Sequence, residues 1–112
     1  MIDLARATAV CAVADIPLEG GVAALVDGVA VAVFRTHDGS VHAIGNVDPF
    51  SGASVLSRGI VGSRGTAPVV SSPMYKQAFD LRTGACLDDA SVSVPSYDVS
   101  VVDGVVLVGG VR

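Results

Sequence analysis

The chain has 112 residues, of which 51% are hydrophobic, and a formal net charge of −4. Its length predicts a single domain over residues 1–112, and its acidic balance argues against a general nucleic-acid binder, which needs clustered Lys and Arg. No run of about 18 apolar residues is present, so no membrane span is expected, and the absence of an address sequence makes the cytoplasm the expected location.

The predicted secondary structure consists of short β-strands, because the core must be built largely from branched aliphatic residues. Three Asp-Gly pairs have the sequence of two-residue hairpin turns: Asp27-Gly28, Asp38-Gly39 and Asp103-Gly104. In chain order, strands are predicted at residues 8–13, 22–26, 29–35, 41–45, 76–80, 97–102 and 105–108. One helical turn is expected at residues 15–18. The short, evenly spaced strands predict an all-β sandwich or small barrel.

The stretch from Gly45 to Ser72 has a different pattern, in which glycine and proline interrupt short apolar pieces. These residues are Pro49, Gly52, Gly59, Gly62, Gly65 and Pro68. The pattern predicts a long loop excursion rather than a strand pair. Long loops in a compact domain are usually functional, so we expect the function to reside there.

This middle part of the chain is also locally basic. No acidic residue lies between Asp48 and Asp80, and the cations there and just beyond are Arg58, Arg64, Lys76 and Arg82. Such a patch can steer an acidic partner surface or an anion. The alternative is that these are scattered, solvated charges.

The cysteines and histidines do not form a pattern typical of metal sites. Cys11 and Cys86 lie far apart, so both are predicted to be buried small hydrophobic residues. His37 and His42 flank a hairpin turn and are expected to be an exposed turn residue and a strand residue, not ligands. Neither a dinucleotide-binding loop nor a convincing pair of nucleophile and base is found, so we predict no catalytic residue and no metal.

Residues 72–84, with the sequence SPMYKQAFDLRTG, resemble the second cluster-binding box of Rieske proteins. That box reads Cys-Pro-x-His, followed by Phe-Asp-x-x-Thr-Gly. The residues that match its scaffold half are Phe79, Asp80, Thr83 and Gly84, and Pro73 matches the proline of the entering turn. Phe79 is expected in the core, together with Phe50, and Gly84 in a turn conformation that other residues resist.

The ligand half of the Rieske pattern is missing. The first box, Cys-x-His, falls on residues 46–48, so Asn46 and Ser72 occupy the positions of the two thiolates. Asp48 and Tyr75 occupy the positions of the two imidazoles. Amide and hydroxyl groups cannot replace thiolates on a two-iron cluster, so we expect no cluster and no other cofactor in this chain.

The resemblance becomes specific when several segments are taken together in order. These segments are NVDPFS at 46–51, VLSRGIVG at 55–62, SPMYKQ at 72–77 and CLDD at 86–89. Together they are similar to the small subunits of assimilatory NADH-dependent nitrite reductases. This resemblance implies a Rieske-like fold with a loop excursion in place of the cluster-binding subdomain. It also implies a non-catalytic subunit whose large partner holds FAD, sirohaem and a four-iron cluster and reduces nitrite to ammonium in nitrogen assimilation.

With the cluster gone, the excursion is free to become a surface that recognises the large subunit. The candidate partner-binding residues are Arg58, Arg64, Tyr75, Lys76 and Arg82. For Tyr75 the alternative is that its ring fills the space left by the cluster. For Asn46 and Asp48 it is that their side chains only hold the loop by bonding backbone amides. Two other functions remain open, a stand-alone binding module or hydrolase and a Rieske-type electron carrier.

Overall fold

The computed structural model describes residues 6–112, and the all-β prediction is confirmed. Its strands within this range are β1 Thr8–Ala12, β2 Gly20–Val26, β3 Val29–Arg35, β4 Val41–Gly45, β5 Ile60–Arg64, β6 Ala67–Ser71, β7 Ala78–Asp80, β8 Ser96–Val102 and β9 Val105–Val111. Two single-turn 3-10 helices lie at Val13–Asp15 and Leu56–Arg58, so the helical turn expected at 15–18 lies earlier in the chain. None of the helices in residues 6–112 is long and apolar enough to cross a bilayer.

The strands form two antiparallel sheets. A six-stranded sheet has the order β1-β9-β8-β4-β3-β2 and curls into a nearly closed barrel. A three-stranded sheet has the order β5-β6-β7. This smaller sheet is built from the predicted excursion and the segment after it.

Strand β3 connects two hydrophobic clusters because both of its faces are buried. Val31 and Val33 face the first cluster, inside the six-stranded sheet, with Ile16, Ala43, Tyr97, Val106 and Val108. Ala32 and Phe34 face the second cluster, which includes Leu56, Val70 and Phe79 from the smaller sheet and its connections. Since successive side chains of a strand point to opposite faces, the run VAVAVF supplies apolar residues to both clusters.

Two of the three Asp-Gly pairs form the predicted two-residue turns. Asp27-Gly28 joins β2 to β3, with Val26 opposite Val29, and Asp103-Gly104 joins β8 to β9. Both aspartates have positive φ, 51° and 52°. The prediction for Asp38-Gly39 was wrong in length, since residues 36–40 make a longer connection in which Asp38 Oδ1 accepts hydrogen bonds from Thr36 Oγ1 and the Ser40 amide.

The prediction that residues 45–72 contain no strand pair was wrong, because β5 and β6 form a hairpin there. The glycines that suggested a loop are compatible with strands for specific reasons. A Cβ on Gly59 would lie 2.3 Å from the Ser71 carbonyl oxygen, so glycine allows the chain to pass close to β6. Gly65 has φ 62° in the turn, and Pro68 still contributes its carbonyl, which accepts from the Leu81 amide at 2.9 Å.

Two smaller expectations were also wrong. The strand predicted at 76–80 begins only at Ala78, because Lys76 adopts a left-handed conformation with φ 65°. Cys86 is buried as expected, whereas Cys11 on β1 is only half-buried.

Candidate functional site

Two loops meet at one end of the small sheet, and a buried hydrogen bond joins them. Loop A, residues 46–59, follows β4, and loop B, residues 72–77, follows β6. Ser72 Oγ in loop B donates to Asp48 Oδ2 in loop A at 2.5 Å, across 24 residues of sequence. Asp48 Oδ1 accepts from the Phe50 amide at 2.8 Å. The Asp48 carboxylate therefore bonds the other loop and the backbone of its own loop.

Asn46 organises loop A from its first residue. Its Oδ1 accepts from the Ser57 amide at 2.7 Å, and its Nδ2 donates to Ser54 Oγ at 2.8 Å. Its carbonyl oxygen accepts from the amides of Val55 and Leu56, both at 3.0 Å. The interpretation of Asn46 and Asp48 as residues that hold the loop is therefore confirmed for their hydrogen bonds.

Ser72 organises loop B in the same way. Its carbonyl oxygen accepts from the Lys76 amide at 3.0 Å, its amide donates to the Gln77 carbonyl at 2.9 Å, and its Oγ accepts from the Met74 amide at 3.2 Å. The resulting tight turn places Tyr75 at its tip with 59% of its surface exposed. The alternative that the Tyr75 ring fills the space left by the cluster is therefore wrong.

The inner residues of the two loops form a unit that we call the polar clasp, consisting of Asn46, Asp48 and Ser72. These three residues are 2%, 0% and 1% exposed. Each has side-chain hydrogen bonds to protein groups, as buried polar groups require. The apolar layer below the clasp includes Phe79, which is fully buried, and Phe50, whose ring centroid lies 6.3 Å from that of Phe79. The clasp therefore gives both loops a defined shape.

The predicted partner-binding cations fall into two groups. Arg64 pairs with Asp88 at 2.9 Å, and Arg82 pairs with Asp80 through its Nη2 and Oδ2 at 3.0 Å. Arg58 and Lys76 are exposed, and neither forms a salt bridge within residues 6–112. Arg58 follows Ser57, the amide of which is bound to Asn46, and Lys76 lies in loop B. Only these two of the four cations combine a loop position with an unpaired charge.

The paired carboxylates have lowered pKa values. Hydrogen bonds from the Arg82 side chain are the main cause of the lowered pKa of Asp80. For Asp88 the main cause of the lowered pKa is the hydrogen bond from the Ala78 amide, followed by the bond from Arg64. Both carboxylates thus help to fix the small sheet and the turns next to it.

The histidines occupy the environments predicted from the sequence. His37 is exposed in the β3–β4 connection, and His42 is half-buried on β4, where burial lowers its pKa. Both line a groove of about 510 Å³ in which Glu19, Asp38 and Arg82 mix charges of both signs. In residues 6–112, no three His, Cys, Asp or Glu side chains group in a way that could hold a metal ion.

Comparison with known proteins connects this arrangement to a family. A family model described as a Rieske-like [2Fe-2S] domain matches residues 7–109. The chain is 46% identical over 102 residues to the small subunit of nitrite reductase (NADH) of Salmonella typhimurium, an alignment that covers 90% of this chain and 94% of that protein. The chain belongs to the family of nitrite reductase (NADH) small subunits. The resemblance inferred from the sequence is confirmed.

Further comparisons support this small-subunit assignment. A crystal structure ascribed to an NADH-dependent nitrite reductase small subunit of Mycobacterium tuberculosis matches with a TM-score of 0.89 at 54% identity, covering 95% of this chain and 94% of that one. The nitrite reductase [NAD(P)H] large subunit of Klebsiella oxytoca is 41% identical over 101 residues, which is 90% of this chain but 10% of that protein. A domain similar to this small subunit is therefore part of that large-subunit polypeptide.

The residues at the four box positions do not fit the cluster after which the fold is named. A Rieske cluster is bound by two thiolates and two imidazoles, and here an amide, a carboxylate, an aliphatic hydroxyl and a phenol take those positions. Asn46, Asp48 and Ser72 already direct their side chains to protein partners, and Tyr75 is exposed. These side chains are suited to hydrogen bonds that join the two loops, not to binding iron.

Some residues of this site were not singled out from the sequence. Ser54 was missed as a partner of Asn46, and Val47 and Met74 were missed as exposed apolar residues, 45% and 48% exposed. The available signal for Val47 was its position between Asn46 and Asp48, since a residue between two inward-facing neighbours in extended chain points outward.

Proposed function

We propose that this chain is a non-catalytic small subunit of an NADH-dependent nitrite reductase, and that it works without an iron-sulfur cluster of its own. Its partner would be a large subunit that holds FAD, sirohaem and a four-iron cluster and reduces nitrite to ammonium in nitrogen assimilation. The small subunit would bind and orient this partner. The relationship to the Klebsiella oxytoca large subunit supports the pairing, because a similar domain is covalently joined to a large subunit there.

The observation that carries the cluster-free part of this proposal is the polar clasp. In a Rieske protein the two boxes are joined through iron, and here the equivalent loops are joined by the hydrogen bond between Ser72 and Asp48. Iron-sulfur clusters are held by soft thiolate ligands, and carboxylate, hydroxyl and neutral amide groups are poor replacements for them. The clasp thus keeps the loops together by hydrogen bonds instead of metal ligation.

We further propose that residues 1–112 form one domain and that the protein acts in the cytoplasm. The match of one family model to residues 7–109 supports the single domain, as do the two hydrophobic clusters that share β3. Contact with the large subunit is proposed to use the locally basic stretch, with Arg58, Arg64, Tyr75, Lys76 and Arg82 as its candidate residues.

The cluster-free proposal is tested by metal analysis of the pure chain. The protein is analysed as isolated and again after anaerobic incubation with iron, sulfide and a thiol, with an authentic Rieske ferredoxin treated in parallel. We expect the ferredoxin to recover its visible bands while this chain stays colourless, with far less than one iron per molecule. Rieske-type bands with two irons and acid-labile sulfide per chain would overturn the proposal.

The subunit proposal is tested with the large subunit from the same organism. Tagged small subunit should retain the large subunit during purification, and it should show no NADH oxidation by nitrite on its own. Failure of the two proteins to associate under any salt condition would favour the stand-alone binding module instead.

A further inference from the structure

We infer that the large subunit docks on the outer side of loops A and B, where an apolar cap is bordered by two unpaired cations. We call this area the loop-tip surface and define it as Val47, Arg58, Ile60, Met74, Tyr75 and Lys76. This inference rests on the proposed function and narrows its docking face. The complementary patch on the large subunit should be apolar at its centre and carry carboxylates at its edge.

The apolar residues of the loop-tip surface are exposed to solvent. Val47, Met74 and Tyr75 are 45%, 48% and 59% exposed, and Ile60, at the start of β5, is 78% exposed. Single exposed hydrophobic residues are ordinary, but a group of them in one place marks an interaction site.

The backbone brings these apolar residues to one end of the small sheet. Val47 precedes Asp48, which is bonded to Ser72, and Met74 is bonded to that same serine through its amide. Ile60 is paired with Ser71, the residue immediately before Ser72. Val47, Met74 and Tyr75 lie within three residues of Asp48 or Ser72 in sequence, and the β5–β6 pairing brings Ile60 next to this junction.

Charge distinguishes this surface from the exposed apolar residues at two hairpin ends. Leu25 and Val29 flank Asp27, and Val102 and Val105 flank Asp103, so those hairpin ends carry an acidic residue. The loop-tip surface instead carries Arg58 and Lys76, in a chain of net charge −4. Two unpaired cations next to exposed apolar groups fit carboxylates on a partner, and Arg and Tyr are the types most enriched among residues that dominate binding.

Lys76 gives a second, independent indication. Its φ of 65° lies in a region that costs a non-glycine residue about 1 to 2 kcal/mol. Within residues 6–112 its side chain forms no salt bridge that would offset this cost. The left-handed conformation closes the turn of loop B, where the Lys76 amide donates to the Ser72 carbonyl, but this role needs only the backbone. Glycine would serve it without strain, and strained positions concentrate at binding sites, which is consistent with a lysine kept for its charge.

The clasp makes this surface suitable for binding before the partner arrives. The turns of loops A and B are fixed by buried hydrogen bonds to Asn46, Asp48 and Ser72, so little ordering of the backbone is left to occur on association. Preorganisation of this kind raises affinity by lowering the entropic cost of binding. The proposed docking face is therefore rigid at its base and exposed at its tips.

The experiment compares two double charge reversals that change the net charge equally. Arg58→Glu/Lys76→Glu alters the loop-tip surface, and Arg6→Glu/Arg112→Glu reverses two exposed cations outside the candidate partner-binding residues. Tyr75→Ala and Leu25→Ser form a second matched pair, since both residues are exposed but only Tyr75 belongs to the surface. Each full-length variant is titrated against the large subunit at low and at physiological salt, and its fold is checked by circular dichroism.

We expect Arg58→Glu/Lys76→Glu and Tyr75→Ala each to weaken association at least tenfold, with the charge reversal losing most of the salt dependence. The two control variants should remain within about threefold of the wild type. If both charge reversals weaken association equally, the effect is due to net charge alone and the inference is overturned. Wild-type affinity for both loop-tip variants would also overturn it and leave the subunit proposal standing, whereas absence of binding by the wild type would remove both.

Discussion

The inner and outer sides of loops A and B are built from neighbouring residues with opposite properties. On the inner side, Asn46, Asp48 and Ser72 are buried and bonded. On the outer side, Val47 and Met74 are exposed, although each lies within two residues of the clasp. The comparison teaches that the polar residues of this site serve the fold, whereas the apolar and cationic ones are free for recognition. Mutations on the inner side should therefore lower stability, whereas mutations on the outer side should weaken binding to the large subunit.

The largest effect is expected in the layer below the clasp. Phe79→Ala should lower the free energy of unfolding by about 3 to 5 kcal/mol, because it removes a fully buried ring that packs near Phe50. Urea denaturation measures this change. Ile60→Ala is the control on the outer side and should change stability by less than about 0.5 kcal/mol. A small loss for Phe79→Ala would mean that the loops do not depend on this layer.

A smaller loss is expected in the clasp itself. Asp48→Ala should cost about 2 to 3 kcal/mol, since it leaves the Ser72 hydroxyl and the Phe50 amide without their carboxylate partner. Asp48→Asn keeps the size and one acceptor oxygen, so it should cost clearly less. Chemical denaturation gives the stabilities, and amide hydrogen exchange at Phe50 and Met74 should speed up in the alanine variant. Wild-type exchange rates at both amides would contradict the role of the clasp.

Lys76 sharpens the comparison because its backbone conformation should affect stability whereas its side chain should affect binding. Lys76→Gly should be more stable than Lys76→Ala by about 1 kcal/mol, since glycine adopts φ 65° without the steric cost. Both variants should bind the large subunit more weakly than the wild type. Thermal unfolding and titration of the same samples test the two effects. Equal stabilities for the glycine and alanine variants would show that this turn is unstrained in solution.

The smallest effect is expected from Asp80 at acidic pH. The Arg82 side chain holds the pKa of this carboxyl below its ordinary value, so the folded state favours the charged form. The contribution of Asp80 to stability is therefore present above the unfolded pKa of about 3.9 and is lost as the pH falls below it through the folded pKa. Asp80→Asn should make the free energy of unfolding less dependent on pH below about 4, and so should Arg82→Gln. If the free energy of unfolding of both variants falls with acid as steeply as that of the wild type, the Asp80–Arg82 pair does not contribute to acid stability.

The parts of the fold that sequence predicts well are those with local signals. The alternating run of β3 and the turns at Asp27-Gly28 and Asp103-Gly104 depend only on neighbouring residues. Gly84 was also foreseen: its φ is 80°, and a Cβ there would lie 2.0 Å from the Val94 carbonyl oxygen. The β5–β6 hairpin was missed because Gly59 is required by a contact with Ser71, which no local pattern shows.

The candidate site was predictable in position but not in structure. The resemblance to the Rieske boxes identified Asn46, Asp48, Ser72 and Tyr75 together, but nothing in the sequence predicts that Ser72 donates to Asp48 across 24 residues. The pairing of Arg64 with Asp88 is a contact of the same long-range kind. It distinguishes Arg64 from Arg58, although the two arginines look equivalent in the sequence. Which side of a loop a residue occupies is decided by such contacts.

The Asp48–Ser72 hydrogen bond also bears on how the enzyme is assembled in the cell. In the proposed cluster-free subunit both groups are supplied by translation, so the docking face would reach its final shape as soon as the chain folds, with no step of metal delivery. Under iron starvation or on exposure to air, the small subunit would still be made in finished form. Only the large subunit, with the prosthetic groups proposed for it, would then have to wait.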